Sequence, residues 1–335
     1  MLSTKDVKSE LSRRVEVVTR PEFLASTIGR CLGEEAEAAD RWETRVIQLD
    51  GTGAATIEIK RDGRGSVFAK LYPNDAGLLI YEKLKALRAT GFGDGERYQA
   101  VEPLAFIPEY DMLLAKGAEG PAVSTYIGVD DHSLLDGVGE SATWLARLHS
   151  SPIRIGRPQT LLESGELLSL SRRLGKMISR RPAFLALALE MIRALEALAE
   201  ETVEGTLVQS HGQYRPIHVF ISDSAVTVID LDRSRPCDPA RDVAEFLHRL
   251  RMTMFWHNGS VERADAPTAR FLEVYASTVA DRAYLANLRF HWARYIFHSL
   301  NRKLKDSEDS DASLDSTVSF YRSEFDNVIK RRFSP

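Results

Sequence analysis

Residues 210–247, SHGQYRPIHVFISDSAVTVIDLDRSRPCDPARDVAEFL, restrict the possible folds of this chain more than any other stretch. Two short apolar runs, 217–221 and 225–229, flank Asp223-Ser224 and read as a hairpin. The second run ends on Asp230, which sets a carboxylate at a strand end, with Asp232 two residues on. Asp238 then precedes Pro239, the arrangement of a helix N-cap followed by proline at the first helical position. A hairpin that delivers a carboxylate and then runs into a capped helix demands a particular setting, and the rest of the chain is read for it.

Residues 1–36 read as helix and connector, with PEFLASTIGRCLG starting at Pro21 and stopping near Gly33. From Arg45 the pattern turns β-rich: RVIQLD, ATIEIKR and SVFAKLY are separated by Gly51-Thr52-Gly53 and by Asp62-Gly63-Arg64-Gly65. A helix over 76–88 follows, with Leu78, Leu79, Tyr81 and Leu84 as its expected core face. VEPLAFIPEY and DMLLAKG read as two more strands, and Gly117 and Gly120 flank a hinge. Beyond the hinge the chain is mainly helical: SATWLARLHS, a segment marked by Leu167, Leu170, Leu174 and Met177, then 182–199, a helix from Pro239, 266–280, 282–303 and 317–331. The acidic stretch 305–316 reads as an exposed loop. Five strands with one helix, then many helices around one hairpin, give an α+β class with two lobes. The expected divisions are a helical extension over 1–36, a first lobe over 37–116 and a second over 117–335.

His211-Gly212, the hairpin, Ile229-Asp230-Leu231-Asp232 and the Asp238-Pro239-Ala240-Arg241-Asp242 run resemble the catalytic core of the aminoglycoside phosphotransferase and choline kinase family, relatives of the protein kinases. Val67-Phe68-Ala69-Lys70 and Leu145-Ala146-Arg147-Leu148-His149 extend the resemblance, which covers about residues 40–300. It implies a bilobed protein kinase-like fold, with an antiparallel five-stranded N-lobe sheet and a mainly helical C-lobe. It also implies phosphoryl transfer from ATP, with Mg2+, to a hydroxyl of a small molecule. Carried over residue by residue, Lys70 reaches the ATP phosphates and Glu82 in the next helix holds it by an ion pair. The amides of Gly51 and Gly53 cover phosphates, Asp230 binds magnesium, and His218 has the place of the second metal ligand. His211 is a scaffold residue of the catalytic loop, Asp232 is the second acidic residue, and Asp242 braces the loop.

Two working positions depart from the family. Gln213 stands where the catalytic Asp belongs, and His218 where a metal-binding Asn belongs. A neutral amide orients a hydroxyl but does not take its proton. Imidazole is a poor magnesium ligand, because magnesium prefers oxygen. Three readings follow: an atypical active kinase in which Asp232 or His218 assists the acceptor, a nucleotide-binding pseudokinase that acts as a binding or scaffolding protein, and nucleotidyl transfer.

Composition limits the partners. With 27% charged residues and a formal net charge of -4, nothing points to bulk attraction to nucleic acid or anionic lipid. Cys31 and Cys237 are far apart and lack metal-ligand spacing. No apolar run approaches the roughly 20 residues that span a bilayer, and the first residues lack the apolar core of a secretory signal. The expectation is a cytoplasmic protein whose partner is a small hydroxyl-bearing molecule.

Overall fold

The structure, a computed structural model, describes residues 4–33, 42–49, 53–61, 65–160, 170, 172–175, 179–279 and 281–330. It divides into two compact units, Met1–Pro121 with Phe220–Asp232, and Ala122–Val219 with Arg233–Pro335.

The first unit carries strands β1 (Trp42–Gln48), β2 (Ala55–Arg61), β3 (Gly65–Leu71), β4 (Tyr98–Ala100), β5 (Pro103–Ile107) and β6 (Met112–Lys116). Five of them form one antiparallel sheet in the order β1-β2-β3-β6-β5. The expected runs therefore pair in the expected sense. Strand alternation sorts β3 into two faces. Val67, Ala69 and Leu71 are fully buried and belong to a core that includes Leu11, Val15 and Val18 of the helix Thr4–Val18, with Leu24 and Ile28 from the segment after it. Residues 4–29 thus cover one face of the sheet. Phe68 and Lys70 point to the other.

The helix Ala76–Leu87 corrects an expectation. Leu78 and Leu79 are 51% and 58% exposed, and the inward face is Gly77, Ile80, Lys83, Leu84 and Leu87. Gly77 sets this phase. A Cβ there would fall 2.6 Å from Asp111 Oδ1 and 2.8 Å from the Phe106 ring, so only glycine allows the approach. Its N–H donates to Asp111 Oδ1 at 3.2 Å. With Gly77 turned inward, the two leucines that follow must turn out.

The hairpin Val219–Ile221 and Val226–Val228 joins the first unit through β4, which pairs parallel to Val226–Val228. Sequence alone did not show β4. Gly120 lies beside this hairpin with φ at +82°, and a Cβ there would run into the Ile221 carbonyl.

In the second unit the helix Asp131–Ser150 begins well before the expected SATWLARLHS segment. The Asp130 carboxylate caps it, accepting from the N–H groups of His132 and Ser133 at 3.1 Å each. Helices Leu185–Glu200, Ala240–Asn258, Asp265–Thr278, Leu288–Asp306 and Asp315–Lys330 follow. A column of buried rings fills the centre: Trp144 stacks on Tyr214 at 5.8 Å between centroids, Tyr214 on Phe246 at 5.3 Å, and Phe246 on Phe271 at 4.5 Å. Leu170 is helical and buried, while Leu167 and Met177 lie outside the described residues.

Candidate functional site

Lys70 ends up in β3 facing away from the helix-covered side of the sheet. Its ammonium donates to Asp230 Oδ1 at 2.7 Å and to Asp232 Oδ1 at 3.2 Å. The three side chains are 21%, 29% and 25% exposed, so these are sheltered ion pairs. Burial works to lower the Lys70 pKa, but the charge of Asp232 and then that of Asp230 outweigh it and hold the ammonium above its ordinary value.

Glu82 is not the partner of Lys70. Its side chain is 56% exposed and pairs with Lys85 at 3.5 Å on the outer face of its helix. The same rotation that exposes Leu78 and Leu79 sends Glu82 to solvent. Its neighbour Lys83 is 4% exposed and donates to the backbone carbonyl of Asp232 at 3.3 Å.

The site has two members that the sequence reading missed. Lys83 is one. Tyr72 is the other: its hydroxyl donates to Asp232 Oδ2 at 3.1 Å. Tyr72 lies two residues past Lys70, the spacing that keeps a strand's side chains on one face, so this signal was available. Nothing in the sequence marked Lys83.

Asp230 has a φ of +64°, the left-handed region that a non-glycine residue rarely adopts. Such a conformation costs on the order of 1–3 kcal/mol and persists where its surroundings enforce it, often at functional sites. Here it turns the carboxylate out of the strand end towards Lys70.

Two carboxylates meeting at one ammonium suit a hard divalent cation, which takes oxygen ligands. Asp230 and Asp232 would hold it. His218 shows a different engagement: Nδ1 donates to the Gln213 carbonyl at 2.9 Å, and the ring stacks on His211 at 5.7 Å. It is built into its own loop as a packing and hydrogen-bonding residue. Among the described residues no group of three or more His, Cys, Asp or Glu side chains converges as a metal cage.

Beside the Lys70 cluster is a cavity of about 210 Å³, walled by apolar side chains that include Phe68, Leu84, Val101, Leu113 and Ile229, with Lys70, Asp230 and Asp232 also in its lining. A mostly apolar cavity with a few charged residues in its lining suits a flat heterocycle that carries phosphates. Gly51 lies outside the described residues. Gly53 lies in a bend, and a Cβ there would meet nothing within 4 Å, so space does not require glycine.

The loop 211–218 lies in the second unit. Asp242 braces it, accepting from the N–H groups of His211 at 2.6 Å and Gly212 at 2.9 Å. His149 adds its Nε2 to the same carboxylate at 3.4 Å, while its Nδ1 faces the Tyr275 hydroxyl at 2.6 Å. Burial works to raise the Asp242 pKa, yet these donors and the His149 and His211 rings hold it below the ordinary carboxylate range. His211 is fully buried, and its Nδ1 accepts from the Gln213 N–H at 3.3 Å, a scaffold role. Tyr214 anchors the loop by donating to the Ser141 carbonyl at 2.7 Å. With its amide oxygen turned towards Arg215, Gln213 accepts from both terminal guanidinium nitrogens at 2.6 and 3.0 Å. Asp238 acts as the expected cap, accepting from the Ala240 N–H at 2.9 Å.

Residues 49–290 match the phosphotransferase enzyme family, APH, and the chain belongs to that family. No curated protein sequence matches it. Among solved structures, an ethanolamine kinase of Plasmodium vivax superimposes with a TM-score of 0.58 at 14% identity, covering 97% of each chain. A choline kinase of Cryptosporidium parvum gives 0.58 at 12% identity, over 87% of this chain and 92% of that one. An aminoglycoside-3'-phosphotransferase of type VIII gives 0.53 at 17% identity, over 77% and 94%. At these identities the likeness is one of fold, a kinase-like α+β architecture.

Proposed function

We propose that this protein transfers the terminal phosphoryl group of ATP to a hydroxyl of a small molecule. The observation that carries this reading is the Lys70 ammonium held between Asp230 and Asp232 in the lining of a mostly apolar cavity. Family membership supports it. The cavity takes the base, and Lys70 pairs with phosphate oxygens. Asp230 and Asp232 hold magnesium, which when bound neutralises charge on the phosphates. Tyr72 and Lys83 keep Asp232 in place. Gln213 takes the role of orienting the acceptor hydroxyl. It does not remove the proton, so the reaction forgoes general-base help worth roughly 10²–10⁴-fold.

A ligand that binds only the native state raises the melting temperature by mass action. Millimolar ATP with magnesium should therefore raise it, and Lys70→Ala should remove most of the shift. No shift in folded wild-type protein would count against a working nucleotide site.

A second reading, a nucleotide-binding pseudokinase, draws on the contact between Gln213 and Arg215, which occupies the amide oxygen with a guanidinium. The two readings separate by ATP consumption against a library of hydroxyl compounds. The pseudokinase binds ATP and consumes none.

A further inference from the structure

We infer that the second unit holds a binding site for a small organic phosphate, and that the phosphoryl acceptor is itself a phosphorylated sugar or polyol. The anion site stands on its own geometry, whereas the word acceptor rests on the phosphotransferase reading above.

Among the described residues, the site is a cavity of about 730 Å³ lined by eight arginines and Lys305, with two carboxylates, Glu245 and Asp306. Both carboxylates are already engaged. Glu245 accepts from Arg215 Nε at 2.8 Å and has Arg249 Nε at 4.0 Å. Asp306 pairs with Lys305 at 3.0 Å and Arg302 at 3.7 Å. Cations thus outnumber carboxylates in this described lining, in a protein whose net charge is -4, so the excess is local. Two polar atoms on residues of the same wall, Arg249 Nε and His298 Nε2, are buried and have no hydrogen-bond partner among the described residues.

The chemistry of the wall suits an oxyanion such as phosphate. Guanidinium groups present a planar fork that matches phosphate or carboxylate oxygens two at a time, and here arginine outnumbers lysine eight to one. The volume lies in the usual small-molecule range of roughly 300–1,000 Å³. Gly212 and Arg215 of the loop braced by Asp242 belong to the same wall, which puts the anion beside the loop assigned to the acceptor hydroxyl. Amine cations such as choline would be repelled.

The test is isothermal titration of the full chain with inorganic pyrophosphate, without nucleotide or metal. Wild type and Lys70→Ala should bind it alike at one site. The double variant Arg249→Gln/Arg302→Gln should bind at least tenfold more weakly, with its fold checked by circular dichroism. Should that variant unfold, Arg302→Gln alone, whose side chain is 76% exposed, should still weaken binding about threefold. Glycerol 2-phosphate should displace pyrophosphate, and glycerol and choline should not. The inference is overturned by the absence of saturable binding, by binding lost in Lys70→Ala and kept in the double variant, or by failure of glycerol 2-phosphate to compete. Pyrophosphate binding in a protein that ignores ATP would sink the phosphotransferase reading and leave the anion site standing. ATP binding without pyrophosphate binding would do the reverse.

Discussion

The Tyr72 hydroxyl donates to one oxygen of Asp232 at 3.1 Å while Lys70 takes the other at 3.2 Å, so a single carboxylate is fixed from both sides. Burial, and then the Asp232 charge, push the Tyr72 phenol well above its ordinary pKa, which keeps its proton in place through the alkaline range. Tyr72→Phe removes one of the two restraints. It should cost about 1 kcal/mol in urea unfolding, the usual net worth of a hydrogen bond. It should also weaken binding of ATP with magnesium about two- to fivefold by calorimetry.

Lys70 and Glu82 should part company. Lys70→Ala leaves two carboxylates facing each other and should remove most of the melting shift given by ATP with magnesium. Glu82→Gln changes an exposed side chain whose contact is Lys85, and should leave that shift intact. A Glu82→Gln variant that lost nucleotide binding would restore the ion pair that the sequence suggested.

Asp242 should make the protein acid-sensitive. Its folded pKa lies below that of the unfolded chain, so the stability it contributes is fully present above the ordinary carboxylate range and is lost as pH falls through the folded value. Asp242→Asn removes a charged acceptor from the N–H groups of His211 and Gly212 and should cost about 2–4 kcal/mol at pH 7. Urea unfolding should show the gap to wild type narrowing below pH 4.

His298 gives a second acid-side term. Burial, then the charges of Arg294, Arg173 and Arg241, with His248 also nearby, push its pKa down to about 2. The ring is therefore neutral when folded and takes up a proton when unfolded below its ordinary value near 6.5. Stability should fall as pH drops from there, by at most about 1.4 kcal/mol per pH unit, and by less to the extent that solvent reaches the ring. His298→Gln should flatten that slope. Pyrophosphate should also flatten it in wild type, because an anion in the cavity favours the charged ring.

Gln213→Asp tests the missing base. If the wild type turns over, the new carboxylate should keep or raise the rate, and Arg215 should limit the gain to less than tenfold by holding the carboxylate ionised and engaged. The readout is the rate of product formation once an acceptor is found. A fall of several orders of magnitude would mean that the glutamine performs a specific task of its own.

Much of this was legible in the sequence. The strands of the main sheet announced themselves by alternation and turn chemistry, and the Asp238, Asp242 and Asp230 carboxylates carried their places in the motif. The phase of the helix Ala76–Leu87 did not. Leu78, Leu79, Ile80 and Tyr81 are contiguous and apolar, so periodicity favours no one face, and the choice falls to the close contact of Gly77 with Phe106 and Asp111. Glu82 came as the partner of Lys70 from the family resemblance, and the same phase carries it to solvent. Strand β4 escaped because it spans three residues and its partner lies far along the chain. The arginine-lined cavity escaped for the same reason, since its wall is assembled from residues between Gln159 and Asp306 that no local pattern connects.

The first unit is discontinuous, and this sets the order of events on the ribosome. Residues up to Pro121 emerge first, but the hairpin that pairs with β4 and brings Asp230 and Asp232 arrives only after all of Ala122–Val219 has been made. At translation rates of 5–20 residues per second that delay is roughly 5–20 s. During it the nascent sheet holds Lys70 without its counter-charges and one wall of the cavity without Phe220, Ile229 and Leu231. Residues up to Pro121 alone thus lack two of the three charged side chains of the Lys70 cluster.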